Sequence, residues 1–254
     1  PYIVNIDTVN KANPIDGKII MSNLCSEILQ VQSPSVINNA QEYEVLGTDI
    51  SCNLGSTNIV NLMQSPDFER SIEVAVRALT FVTDHSSIDA VPTVKNGNQK
   101  AHTIGLGAMG LHTFFALNQM EYGSPESIEV TDLYFRLLNF YTLKASHKIA
   151  KERGVTFDGF EKSAYASGTY FDAYTESDVE IKSEKVKEIF ANLPIPTAED
   201  WKQLKADVMA DGLYHQNRLA IAPTGSISYV NETSASLHPI TRLIEERQEK
   251  KTGK

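Results

Sequence analysis

Apolar residues in this chain follow two periods, and the longer one dominates its middle. From Pro66 onward, Phe68, Ile72, Val76, Leu79 and Val82 recur at the spacing of one helical face, which predicts a helix. A second helix is predicted from about Thr103 to Leu117. A third opens at Ser124-Pro125-Glu126, continues to Arg153 and stops at Gly154. A serine cap, a proline in the first turn and a glycine past the last turn are the punctuation such a helix needs. Another is expected from a cap at Asp200 to about Met209. The shorter period appears twice. Ile50, Cys52 and Leu54 alternate with polar residues ahead of Gly55, so Asp49–Leu62 reads as strand and loop. Leu219-Ala220-Ile221-Ala222 reads as a buried strand.

Between these elements, residues 1–31 mix short apolar runs with the turn signals Asn13-Pro14 and Asp16-Gly17. Pro1–Asn5 is strand-like, and Ile19-Ile20-Met21 leads into Asn23-Leu24-Cys25-Ser26-Glu27-Ile28-Leu29. Residues 155–180 are aromatic and glycine-rich, as in an ordered loop. No repeat or low-complexity segment interrupts the chain. Strands interleaved with long helices give an α/β fold.

Composition narrows the function more than the fold. The 254 residues are 41% hydrophobic and 22% charged, ordinary for one large or two modest globular domains. A net charge of −9 argues against a basic surface that tracks nucleic-acid phosphates. A small anionic substrate stays open, because backbone amides can hold phosphate. No run approaches the roughly 20 apolar residues of a membrane span, and no signal peptide opens the chain. A reducing, cytoplasmic setting is the expectation, in which Cys25 and Cys52 are thiols rather than a structural disulfide. Their spacing, with no nearby Cys or His pair, makes no zinc site. The missing initiator Met and the ending Gln248–Lys254 read as an internal piece of a longer polypeptide.

Four stretches could carry chemistry. In an extended Asn23-Leu24-Cys25-Ser26-Glu27, residues 23, 25 and 27 would share one face and bring an amide, a thiol and a carboxylate together. The same run is also compatible with a buried cysteine flanked by surface polar groups. Ser51-Cys52-Asn53-Leu54-Gly55 offers a redox thiol or a core cysteine. Gly105-Leu106-Gly107-Ala108-Met109-Gly110 matches the dinucleotide fingerprint, but polar Asn96–Thr103 cannot supply the buried strand that must precede it. Close packing of backbones explains those glycines better. In Ala222-Pro223-Thr224-Gly225-Ser226-Ile227-Ser228 an apolar strand enters a hydroxyl-rich turn. That turn is either an anion site at a helix start or an ordinary turn with a serine cap. The six histidines form no ligand pair, and Tyr134, Phe135, Phe140 and Tyr141 read as core packing.

Together these stretches resemble the large (α) subunit of ribonucleotide reductases, most closely the bacterial class Ib type. Trp201-x2-Leu204-x7-Gly212-Leu213-Tyr214-His215-x3-Leu219-Ala220-x2-Pro223 fits the family signature. Asn23–Glu27 matches its active-site loop, Asp49–Ser56 its redox-cysteine segment, and Ala222–Ser228 its substrate-phosphate loop. Ile104-Gly105-Leu106-Gly107 also belongs to the family pattern. The resemblance runs over essentially the whole chain. It implies part of a ten-stranded α/β barrel, with the radical cysteine on an internal finger loop.

By the same resemblance, Cys25 is the transient thiyl that abstracts the substrate's 3′ hydrogen, and Glu27 accepts the 3′-hydroxyl proton. Asn23 contacts the ribose hydroxyls, and Cys52 is half of the reducing dithiol. Thr224, Gly225, Ser226, Ile227 and Ser228 hold the diphosphate of a nucleoside diphosphate. Apolar flanks at Ile19, Ile20, Leu24, Ile28 and Leu29 would keep water from the radical. The resemblance further implies a radical from a metal-containing small (β) partner subunit and a glutaredoxin- or thioredoxin-like reductant. The full-length subunit would be a homodimer. Most of the ATP/dATP-type effector region, the second redox cysteine, the relay tyrosines and the C-terminal tail would lie outside this sequence, so these residues alone should not turn over. Competing readings are a glycyl-radical or cobalamin-dependent relative, an NAD-dependent oxidoreductase, and a noncatalytic nucleotide-binding or interaction module in which Cys25 is dispensable.

Overall fold

The computed structural model describes residues 4–86 and 88–244. In chain order the elements are α1 (Ile6–Ala12), β1 (Val36–Ile37), β2 (Tyr43–Val45), β3 (Asn53–Asn58), α2 (Ile59–Met63), α3 (Phe68–His85), α4 (Pro92–Ala101), β4 (Ile104–Met109), α5 (Leu111–Leu117), α6 (Pro125–Arg153), α7 (Asp172–Thr175), α8 (Glu184–Phe190), α9 (Ala198–Asp211) and α10 (Ile227–Val230). The fold is mixed α/β. β3 and β4 pair in parallel from Asn53↔Ile104 to Asn58↔Met109. Residues 217–220 run along the other side of β4 through a parallel bridge at Leu106↔Leu219, with the Leu106 N–H donating to Arg218 O at 2.8 Å. β1 and β2 form a separate antiparallel pair. No closed barrel forms among the described residues.

The helices follow their sequence signals closely. α3 begins where Asp67 accepts the Arg70 N–H at 2.9 Å. Its buried face runs Phe68, Ile72, Val76, Thr80 and Thr83, so the apolar stripe ends in two threonines and Val82 faces outward. α6 keeps its expected bounds: Ser124 caps Ser127 N–H, and Gly154 closes the helix with φ 65°. At 1.5 Å per residue α6 is about 43 Å long. Its middle is buried nearly all round because α3, α8 and α9 pack on it. Trp201 of α9, fully buried, meets Phe140 edge-on at 4.9 Å and stacks on Tyr174 at 4.2 Å. Between α3 and α6 the buried His215 ring lies 2.9 Å from both the Thr80 and the Ser146 hydroxyls. Burial holds its pKa well below the usual histidine value, so it is a neutral core histidine.

Two helical expectations change. Residues 103–117 are not one helix: α4 ends at Ala101, and Ile104–Met109 is a fully buried strand leading into α5. A helix there would carry Gly105, Gly107 and Gly110, each costing about 1 kcal/mol relative to alanine. The strand instead uses them. A Cβ at Gly107 would fall 2.2 Å from Ala220 O, and Gly110 turns the chain with φ 87°. The fingerprint reading fails as expected, since the residues before the glycines are helical. In α9 the cap is Thr197, not Asp200. Thr197 accepts the Asp200 N–H, and Asp200 reaches back to the Thr197 N–H in a capping box.

The expected strand at Pro1–Asn5 lies partly outside the described residues, and Asn5 instead caps α1. Gln248–Lys254 also lie outside them. Residues 155–180 are, as read, mostly ordered loop, with short 3-10 turns at Phe160–Lys162 and Thr169–Phe171 ahead of α7. Leu219–Ala222 contributes only a short bridge to the sheet, with Ala220 and Ala222 buried.

Candidate active site

The segment carrying Cys25 is anchored at both ends and turned at its tip. Asn10 clamps Ile19 through two 2.8 Å bonds, and Ile19 and Ile28 are buried. Between them residues 23–26 form a turn, not an extended run. The Ser26 N–H donates to Asn23 O at 3.1 Å, and Ser26 takes φ 65°. The Asn23 side-chain oxygen accepts the Ile28 N–H at 3.0 Å. An extended run cannot make these bonds, so residues 23, 25 and 27 do not share one face.

Two cavities flank this turn. The larger, about 870 Å³, sets Cys25 and Glu27 against Phe135, Leu219, Ala220 and Pro223. The smaller, about 440 Å³, brings Asn23 and Ile28 to Cys52 and Leu54. Cys25 is exposed and Cys52 half-buried; both are free thiols. Burial pushes the Cys52 thiol up to about 12. The Glu27 charge adds to that shift, and a hydrogen bond from the Gln30 side chain opposes it. Glu27 Oε2 is buried without a hydrogen-bond partner, a costly state for a carboxylate oxygen unless a ligand completes it.

The family profile described as "Ribonucleotide reductase, barrel domain" matches residues 1–254. The chain belongs to this ribonucleotide reductase family. It is 47% identical to the ribonucleoside-diphosphate reductase subunit alpha of Bacillus subtilis (strain 168) over 249 residues, 97% of this chain and 36% of that protein. With the subunit alpha of Mycoplasma pneumoniae (strain ATCC 29342 / M129 / Subtype 1) it shares 42% over 260 residues, 100% of this chain and 36% of that one. The large subunit of Equine herpesvirus 4 (strain 1942) is 29% identical over 257 residues, 94% of this chain and 29% of that protein. The chain thus spans about a third of the length of these curated relatives.

Measured against the sequence reading, this ribonucleotide reductase domain gathers Cys25 and Glu27 in one cavity and Asn23 and Cys52 in the next. It does not supply the full apolar shield expected around Cys25. Ile19 and Ile28 are buried, but Ile20 is 68% and Leu24 97% exposed, although Leu24 borders the Cys25 cavity. In the hydroxyl-rich loop, Pro223 lines the Cys25 cavity, while Thr224, Gly225, Ser226, Ile227 and Ser228 are not among the lining residues. Thr224 takes φ 50° and its hydroxyl accepts the Ser236 N–H at 2.7 Å. Ser226 precedes α10 without a side-chain capping bond, and Ser228 is buried. Sequence reasoning missed Gln30, Phe135, Leu138 and His238. Phe135 and Leu138 carry only the signal of a core helix, and His238 follows a loop with no motif of its own. Among the described residues no helix is long and apolar enough to cross a membrane.

Proposed function

We propose that this domain carries the substrate site of a catalytic α subunit, of class Ib form, that reduces ribonucleoside diphosphates to 2′-deoxyribonucleotides by thiyl chemistry. The supporting observation is the cavity that sets Cys25 and the unpartnered Glu27 carboxylate against Leu219, Ala220 and Pro223, with Cys52 on the neighbouring cavity. In this reading residues 1–254 are part of the ten-stranded barrel, and the turn at 23–26 is the tip of its finger loop. The Cys25 thiyl takes the 3′ hydrogen of the ribose, and Glu27 takes the 3′-hydroxyl proton within hydrogen-bond reach. Asn23 contacts the ribose hydroxyls as water leaves C2′. Cys52 and a second cysteine elsewhere in the subunit deliver two electrons and two protons and close to a disulfide, reopened by a glutaredoxin- or thioredoxin-like dithiol. Thr224–Ser228 hold the diphosphate, fixing C3′ over the sulfur. The radical comes from a metal-containing β subunit, and the α subunit works as a dimer.

The test is Cys25→Ser in the full-length α subunit, assayed for nucleoside diphosphate reduction with its radical-bearing partner. Reduction is expected to vanish while nucleotide binding and folding persist. Retained reduction would remove the thiyl role, and with it the reason for placing Asn23 and Glu27 in the chemistry.

A further inference from the structure

The Gly105-x-Gly107 pattern plays no part in the chemistry just proposed, yet its place in the sheet is specific. Gly105 pairs with Leu54 across β3 and β4. A Cβ at this position would lie 2.7 Å from Cys52 Sγ, 2.6 Å from Leu54 Cδ2 and 2.9 Å from Ala220 Cβ. Each is well inside ordinary van der Waals contact, roughly 3.5–4.0 Å between carbons. Gly105 is not among the glycines with positive φ, so its backbone would accept any residue. What the position requires is empty volume, and the Cys52 sulfur fills it together with Leu54 Cδ2 and Ala220 Cβ. Ala220, on the far side of β4, also lines the Cys25 cavity. The Gln30 side chain, 5% exposed, lies close enough to the same sulfur to oppose the upward shift that burial gives it.

We propose that Gly105 is a positioning residue for the Cys52 thiol. By carrying no side chain it seats the sulfur on the sheet, beside the Ala220 wall of the substrate cavity. The seat is a matter of packing; its consequence for turnover rests on reading Cys52 as a redox cysteine. A methyl group at 105 must displace the sulfur, because β3 and β4 are paired by backbone bonds along their whole length and cannot part without losing them.

A double-mutant cycle on the chain tests the seat. Gly105→Ala is expected to lower the unfolding midpoint by about 5 °C, and Cys52→Ala in the same background to recover at least half of that loss. Iodoacetamide labelling of Cys52, read by mass spectrometry beside Cys25, should run about tenfold faster at pH 8 in Gly105→Ala, with the pH profile moved down by about one unit. The Cys25 rate should not change. An equal midpoint loss with and without the Cys52 sulfur, together with an unaltered labelling profile, would overturn the proposal. If Gly105→Ala does not fold, the same comparison is made with the double variant Gly105→Ala/Leu54→Ala, which removes the nearest carbon and leaves the Cβ contact with the sulfur. Full-length Cys52→Ser separates the two ideas: if it still reduces nucleotides, the redox reading fails and the seat stands.

Discussion

The α3–α6–α9 layer and the segment around Cys25 contain similar apolar side chains, yet the two regions end in opposite states. In the helical layer Leu133, Leu137 and Trp201 are at most 1% exposed and belong to one continuous apolar core. Around the turn, Ile20, Met21 and Leu24 stand 56–97% exposed, and Val36, Ile37, Tyr43 and Val45 in β1 and β2 are each about half exposed. The centre of the helical layer is closed by its own side chains. The chemical segment is anchored from below, through Ile19 and Ile28, and open above. A thiyl needs a dry site. Under the proposed function, the cover over Leu24 therefore comes from the two thirds of the subunit's length that the curated relatives have beyond this stretch.

The largest effect that could break this comparison is chemical. Glu27→Gln in the full-length subunit should lower kcat for reduction by at least about a hundredfold, the scale of one lost proton-transfer group. The unfolding midpoint should not fall, since Glu27 Oε2 has no partner to lose and its unpartnered burial is costly. Steady-state kinetics and calorimetry together check this, and a large midpoint loss would make Glu27 a structural residue instead. Next comes packing. Leu137→Ala should cost about 3 kcal/mol in urea unfolding, and Leu24→Ala in the chain less than about 0.5 kcal/mol. Equal costs would erase the contrast between the two regions.

Smaller still, Thr197→Ala removes one arm of the α9 capping box and should cost about 1 kcal/mol by the same measurement. The least effect is a pH dependence between α3 and α6. Hydrogen bonding from Lys148, and then from Arg77, holds the Glu73 carboxyl at about 2, against 4.5 for the free side chain. A depressed acid pKa stabilises the folded state above the unfolded value, and that contribution fades as pH falls from about 4.5 to about 2. Unfolding midpoints followed through this window should fall less steeply in Glu73→Gln. An identical slope would mean the ion pairs are screened away.

The legible parts of the sequence were those whose signals are local. Ser124, Pro125 and Gly154 set the bounds of α6 because caps act within one turn of the backbone they satisfy. The asparagine, cysteine and carboxylate of Asn23–Glu27 were visible as a motif for the same reason. The strand at Ile104–Met109 was not legible. Glycine-rich sequence has no strand preference, and Gly105 and Gly107 make sense only once Cys52, Leu54 and Ala220 are known to lie against them. The threonines on the buried face of α3 were equally silent, since the Thr80 hydroxyl, beyond its bond to Val76 O one turn back, meets a histidine 135 positions away.

By itself, then, the sequence determined the chemical groups on offer, the long helices and the family to which those groups point. Tertiary structure decided their arrangement. It folded Asn23–Ser26 into a turn, so that Cys25 with Glu27 and Asn23 with Cys52 open on separate cavities. It also turned a fingerprint-like run into a strand whose missing side chains make room for a sulfur at Gly105 and for the Ala220 backbone at Gly107. The physical reason is range. Caps, turns and periodic faces are fixed by neighbours within a few residues, whereas a cavity is fixed by volumes that distant segments leave between them.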